Sequence, residues 1–465
     1  MTEKTHRNGK NLYYYILPLL GTLFVLWYIM TATWDVAYSD YIRQILSYLP
    51  DVWDPEKFFV ADLLTRIPVN FPVRGFNVSV LGFSVTFDLI LGGLGLGLAA
   101  FVLADYGRKK EILALWFAAF MLIFFSLNKW EMLTNGTGWV HFFAFACFYY
   151  HYTVFDRMES GDGKKGDALR LEVLPFFITI CAAGPYCAVY TGVMLLAYGF
   201  AAGRKKAADG TWDLKYLKYS ICMLIPLFLY MWSNSHAVYE HSGAYEGSIF
   251  PILAEQPQLF VKFFIKSFAG MAIGQEAFEE LVNKGLFPYA VVYLLGLLVI
   301  GGYLAALYLN LKYRLYEKTV LPLILILAGG MNHLLILASR WIFLKDSYGM
   351  SSRYALQFQV GILGIILTAA LLWDRIKGRW IRLAAVLWCV LLLLGGGYTT
   401  WREVKIAPNR QEWGKTVAEM AVHYEDFDDD ELIYWFQYRN ADKIREALSI
   451  LEENHLNVFR NSDAK

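Results

Sequence analysis

The feature that most constrains this chain is a series of apolar runs, each near the length needed to cross a bilayer, separated by short charged connectors. A hydrocarbon core about 30 Å thick takes roughly 20 helical residues. By that measure about eleven runs qualify: 12–33, 78–104, 112–128, 139–155, 172–184, 186–202, 217–233, 287–309, 319–338, 356–373 and 381–400. The fifth and sixth are short and meet at Gly184-Pro185, as half-length helices or as a hairpin that does not cross fully. The expected fold is an all-α polytopic membrane protein. A transmembrane module covers 1–400, and 401–465 forms a small helical tail. Composition agrees, with 57% hydrophobic and 18% charged residues, which excludes disorder and argues against an ordinary soluble enzyme. A net charge of +1 gives no case for nucleic-acid binding. The five cysteines lie in apolar runs without CxxC spacing, so neither a zinc site nor a disulfide framework is indicated. Residues 1–11 are polar and basic, and no small-residue cleavage site follows them. The first run therefore reads as a retained helix.

Charge placement orients the bundle. The connectors 1–11, 105–111, 156–171, 203–218, 310–318 and 374–382 hold more than half of the 42 lysines and arginines. If the runs alternate, all six fall on one side, which the positive-inside rule makes cytoplasmic. The N-terminus is then inside and the C-terminus outside, in the plasma membrane. The long outer segments are 34–77, 234–286 and the tail, with the shorter 129–138 and 339–355.

Chemistry is expected on that outer face. Asp35 and Asp40 follow the first run, in "WDVAYSDYIR". Beyond them Ile42, Ile45, Leu46 and Leu49 have the spacing of one helical face, read as a helix lying along the interface. Asp40 is either a cap on that helix or a working carboxylate. Glu131, in "SLNKWEMLTNG", is either an exposed loop acid or part of the same site. Arg340, Lys345 and Arg353 lie in the one short outer loop rich in basic residues, where they either snorkel to headgroups or hold a phosphate. His333 is buried in the ninth run as a functional group or a neutral hydrogen-bonding residue. Segment 256–273 reads as a second interfacial helix, with Phe263, Phe268 and Met271 on one face and Lys262 and Lys266 on the other. Tyr239, His241, Tyr245 and Glu246 are candidates to face a sugar. The acidic run 426–430 reads as a solvated face, and Ile444, Leu448 and Leu451 give the tail helix an apolar stripe.

In this arrangement the chain resembles the GT-C superfamily of integral-membrane glycosyltransferases. The resemblance rests on the topology, on the acid before "YSDYIRQIL", on "KWEMLTNG", and on "SSRY" at the tenth run. It covers most of 1–400 through short motifs. It implies a polyprenyl-phosphate sugar donor and a glycan or lipid acceptor. It also implies Asp40 as the catalytic acidic residue, and Arg353 or Arg340, with Lys345 and Tyr354, near the donor phosphate. Arg43 is a further substrate-binding candidate. Many relatives carry two adjacent acids where Ser39-Asp40 stands here. A divalent cation such as magnesium or manganese, on Asp40 if anywhere, is left open, and Asp35 is a second carboxylate only if the backbone folds it back. Transfer of a whole oligosaccharide by a polymerase or ligase is the alternative within this chemistry. A transporter or flippase is the alternative outside it, favoured by the short fifth and sixth runs and by Asp88 deep in the second.

Overall fold

The computed structural model describes residues 11–63, 66–238 and 244–460. Among these there is no strand, only an isolated bridge between Asp62 and Val238. Helix α1 (Tyr13–Ala32) leads into a long loop carrying α2 (Asp40–Tyr48) and α3 (Asn70–Leu81). Next come α4 (Val85–Lys109), α5 (Ala114–Phe124), the short α6 (Trp130–Thr134) and α7 (Trp139–Glu159). After α8 (Asp167–Phe176), α9 (Cys187–Asp209) and α10 (Leu214–Asn234), a second long loop holds α11 (Ile249–Glu255), α12 (Pro257–Ala272) and α13 (Gln275–Asn283). The bundle closes with α14 (Val291–Lys312), α15 (Leu321–Arg340), α16 (Ala355–Leu372) and α17 (Arg379–Val422). The tail forms α18 (Asp429–Phe436) and α19 (Ala441–Glu453).

Among the described residues eight helices are long and apolar enough to cross a membrane: α1, α4, α9, α10 and α14 to α17. The other three expected spans differ, each for a local reason. Helix α7 has 21 residues but carries His141, His151, Asp156 and Arg157, so it is long without being uniformly apolar. Helix α8 passes into a π turn over Phe177–Ala182 and stops at Gly184, whose φ is 53°. The fifth run is therefore not a full-length helix, whereas the sixth is. Helix α5 has 11 residues, about 16 Å of rise, and the rest of its crossing is irregular.

The described basic connectors meet at one end of the bundle, where the start of α1 also lies. The Tyr13 and Tyr14 hydroxyls donate to the Ile112 carbonyl at 2.9 and 2.6 Å. The Ser160 hydroxyl donates to the Lys318 carbonyl at 2.9 Å. Arg204 reaches the Tyr316 carbonyl at 2.6 Å and Glu159 at 3.0 Å. Arg375 reaches the Tyr313 carbonyl at 3.4 Å. Helices α1 and α7 approach α4 closely because α4 is rich in glycine. A Cβ on Gly97 would lie 2.6 Å from the Thr22 hydroxyl, and one on Gly95 only 3.1 Å from the Phe143 backbone nitrogen. Small residues are the usual device for close helix packing where lipid supplies no hydrophobic drive.

Two amphipathic helices expected on the lipid surface are instead protein-covered. On α2, Tyr41, Ile42, Ile45 and Tyr48 are buried, and the helix packs against α19. Tail residues Ile444, Leu448 and Leu451 are buried as well, so the tail supplies the apolar partner that lipid was expected to be. On α12, Phe263 and Phe268 are buried, and so is Lys266, which was expected on the solvent side. Its ammonium pairs with Asp346 at 2.9 Å and sits 5.0 Å from the Tyr289 ring centroid. Burial pulls its pKa down, but Tyr289 and Asp346 outweigh that and hold it above the ordinary lysine value.

Candidate active site at the loop end of the bundle

The site begins where α5 breaks. Backbone groups freed by a broken helix must find partners when they lie at membrane depth. Here side chains provide them. The Lys129 ammonium donates to the Phe124 and Ser126 carbonyls at 2.7 and 2.9 Å, Gln359 donates to the Ile123 carbonyl, and the Leu127 N–H reaches the Thr400 hydroxyl at 3.1 Å. The break has two consequences. Phe125, Ser126 and Asn128 line an apolar trough of about 650 Å³ between α1, α5, α16 and α17. Beyond the break the chain turns, and Trp130 and Glu131 enter a second cavity, of about 400 Å³.

This second cavity is charged. Glu131 pairs with the Arg353 guanidinium across 222 residues of chain and accepts the Ser352 hydroxyl at 3.0 Å. Arg410 comes from α17, which runs unbroken through Pro408 for 44 residues. Its guanidinium carbon lies 3.3 Å from the Trp130 ring centroid, and it donates to the fully buried Glu403. Glu403 also accepts from Arg402 at 2.8 Å. Tyr38, Asn135, Asn409 and Gln437 are also part of the polar lining. Burial, and then the Glu131 carboxylate, push the Tyr38 phenol up to about 12, so it meets any ligand as a neutral hydroxyl.

Asp40 opens α2. It follows Ser39, which has a φ of 54° and makes no side-chain cap bond. The Ser39 N–H is spent on the Phe436 carbonyl at 2.7 Å, so the tail holds the backbone just before Asp40. The Asp40 carboxylate accepts Asn135 Nδ2 at 3.2 Å. Ser39 and Asn135 both line the charged cavity; Asp40 is not itself in that lining and joins it through the bond from Asn135. Beneath, Asp88 pairs with Arg74, accepts the Tyr41 hydroxyl at 2.6 Å, and ties α2, α3 and α4 together with all three side chains buried.

The structure brings Asp40, Glu131 and Arg353 into one region and places the other expected residues elsewhere. Asp35 caps α4, accepting the Val85 and Thr86 N–H groups at 2.6 and 3.1 Å. Its second oxygen takes Arg460 at 2.7 Å, so it does not fold back beside Asp40. Arg340 lies 5.7 Å from the Tyr354 ring centroid. Lys345 is exposed and does not line the cavity. Arg43 pairs with Asp62 at 2.6 Å in a separate groove. Tyr245 stacks edge-on near Trp341 at 6.0 Å, and Glu246 is exposed. His333 is clamped between Phe268 and Phe358, with centroids 3.7 and 4.1 Å away, and shares a 2.8 Å bond with the Ser267 hydroxyl. That is the helix-to-helix role. Tyr239 and His241 lie outside the described residues.

Among the described residues no three His, Cys, Asp or Glu side chains converge to hold a metal ion. Asp40 therefore has no such donor set around it for a magnesium or manganese ion. Arg410 was missed because the run of hydropathy ends near residue 400, whereas the helix does not. The helix-compatible "WREVKIA" past the apolar run was a signal, but Pro408 in "PNRQEW" reads as a helix stop just before Arg410. Fold and site together define an all-α membrane protein with a charged cavity opening beside an apolar trough. No protein-family model, curated protein or solved structure matches the chain.

Proposed function

We propose that this protein is a GT-C-type membrane glycosyltransferase, taking a sugar from a polyprenyl-phosphate donor at the outer leaflet and passing it to an acceptor hydroxyl. The observation that carries this reading is the succession of trough and cavity along the same two segments, from Asn128 to Trp130 and from Thr400 to Ile406, with Asp40 bonded to the lining residue Asn135. A prenyl tail suits the trough, and its phosphate then falls beside Arg410 and Arg353. Both guanidiniums stay charged at any working pH. They are placed to stabilise the phosphate oxygen as the bond to the anomeric carbon breaks and the electron pair leaves with it. The acceptor oxygen attacks that carbon and Asp40 takes its proton. Glu131 holds Arg353 in place. Mass spectrometry of lipid-linked glycans from membranes with and without the protein tests the reading. Asp40→Asn should insert normally and leave donor and acceptor unconverted. An unchanged product spectrum from that variant overturns it.

A further inference from the structure

A second polar groove, of about 640 Å³, lies along α2 on the side away from its buried face. Arg43, Lys57 and Lys443 line it together with Asp54, Glu56 and Asp62, with Arg43 paired to Asp62 at 2.6 Å, so its charges balance. Phe59 and Tyr438 add aromatic surface. Four parts of the chain build it: α2, the segment 54–62, Val238, and the tail from Tyr438 to Lys443 in the first turn of α19. Its link to the site is helical geometry. Arg43 and Ser47 line the groove, and Asp40 lies three residues before Arg43 on the same stripe of α2, about 4.5 Å nearer the helix start.

We propose that this groove binds the acceptor, and that the acceptor is an uncharged glycan. The proposal rests on the transferase reading above and adds the acceptor's class and location. Balanced donors and acceptors match hydroxyl groups, which give and take hydrogen bonds equally. A net-charged polymer would meet as much repulsion as attraction in such a groove. Accessible aromatic edges suit the apolar C–H faces of sugar rings. A glycan lying along the stripe from Ser47 to Arg43 brings its end toward Asp40, where a hydroxyl proton is to be removed.

The test uses the full-length protein in lipid nanodiscs. The probes are fluorescent linear neutral oligosaccharides of hexose and N-acetylhexosamine, with uronate-containing oligosaccharides and zwitterionic dipeptides as competitors. Neutral oligosaccharides should bind, and neither competitor should displace them. Lys443→Ala and Tyr438→Ala, checked for monodisperse elution, should each weaken binding about tenfold, as expected for losing one well-made contact. The proposal is overturned if no neutral oligosaccharide binds, if uronates or dipeptides bind better, or if both groove variants keep wild-type affinity. Glycan binding without any sugar transfer would remove the transferase reading and leave the groove assignment standing. Transfer lost in Asp40→Asn but untouched in the groove variants would do the reverse.

Discussion

At the scale of single residues, the charges sort by what their partners leave available. Asp35 has both oxygens engaged, by the first N–H groups of α4 and by Arg460. Asp40 has a neighbour of a different kind, the neutral side-chain amide of Asn135. The two acids therefore have separable roles. Asp35→Ala should destabilise the protein by about 1–2 kcal/mol, the usual worth of a lost helix cap, while transfer per folded molecule stays intact. Thermal unfolding in detergent alongside product formation checks this. Full stability with lost transfer would return Asp35 to the chemistry. Arg410 is argued the same way. Its face is packed on Trp130 while its edge borders the cavity. Arg410→Lys keeps the charge but loses the planar stack and fork. It should raise the donor KM about tenfold or more, the effect of one lost charge-assisted hydrogen bond. An unchanged donor KM would make Arg410 a partner of Glu403 only.

At the scale of elements, α2 shows why part of the site was legible in the sequence and part was not. Its apolar stripe was readable from Ile42, Ile45 and Leu49, because helical spacing is local. What the stripe packs on was not, because the partner residues Ile444, Leu448 and Leu451 lie some 400 positions away and lipid would satisfy the same pattern. Glu131 and Arg353 could each be flagged from their place in the chain, but only tertiary contact pairs them. Helix α5 looked long because hydropathy does not register a helix break whose backbone is satisfied by Lys129, Gln359 and Thr400. The contact between α2 and the tail has a direct consequence. Deleting residues 424–465 removes α18, α19 and the Phe436 carbonyl that holds Ser39. The bundle should still insert, but α2 should become accessible to protease and transfer should be lost. Limited proteolysis with mapping of cuts across 40–48 reads this out. A protected α2 in the truncated protein would show that the tail is dispensable for its placement.

At the scale of the whole molecule, the connectors carry the strongest inference, because the basic segments that alternation of the runs puts on one side are also in contact in the structure. Among the described residues eight helices meet the length and hydropathy of a span, and the described connectors converge. Of the three shorter or more polar helices, α7 is buried along most of its length, whereas α5 and α8 bury one face and leave Leu115, Leu122, Leu169 and Val173 exposed. The described start of α1 and the tail then lie at opposite ends of the bundle. Helix α17, with 44 residues, rises about 66 Å, twice the hydrocarbon thickness. Its second half must therefore stand clear of lipid, carrying Arg410 to the cavity and the tail beyond it. Positive residues resist transfer across the membrane, so the connector end should face the cytosol and the charged cavity the other side. Single cysteines introduced at Gly163, between α7 and α8, and at Asp430, in α18, decide the matter in a chain cleared of its five native cysteines. An impermeant maleimide applied to intact cells should label position 430 and spare position 163 until the membrane is opened. The opposite pattern would place Asp40 and Arg410 in the cytosol, away from any outer-leaflet donor, and labelling at both would break the alternation from which the whole topology is argued.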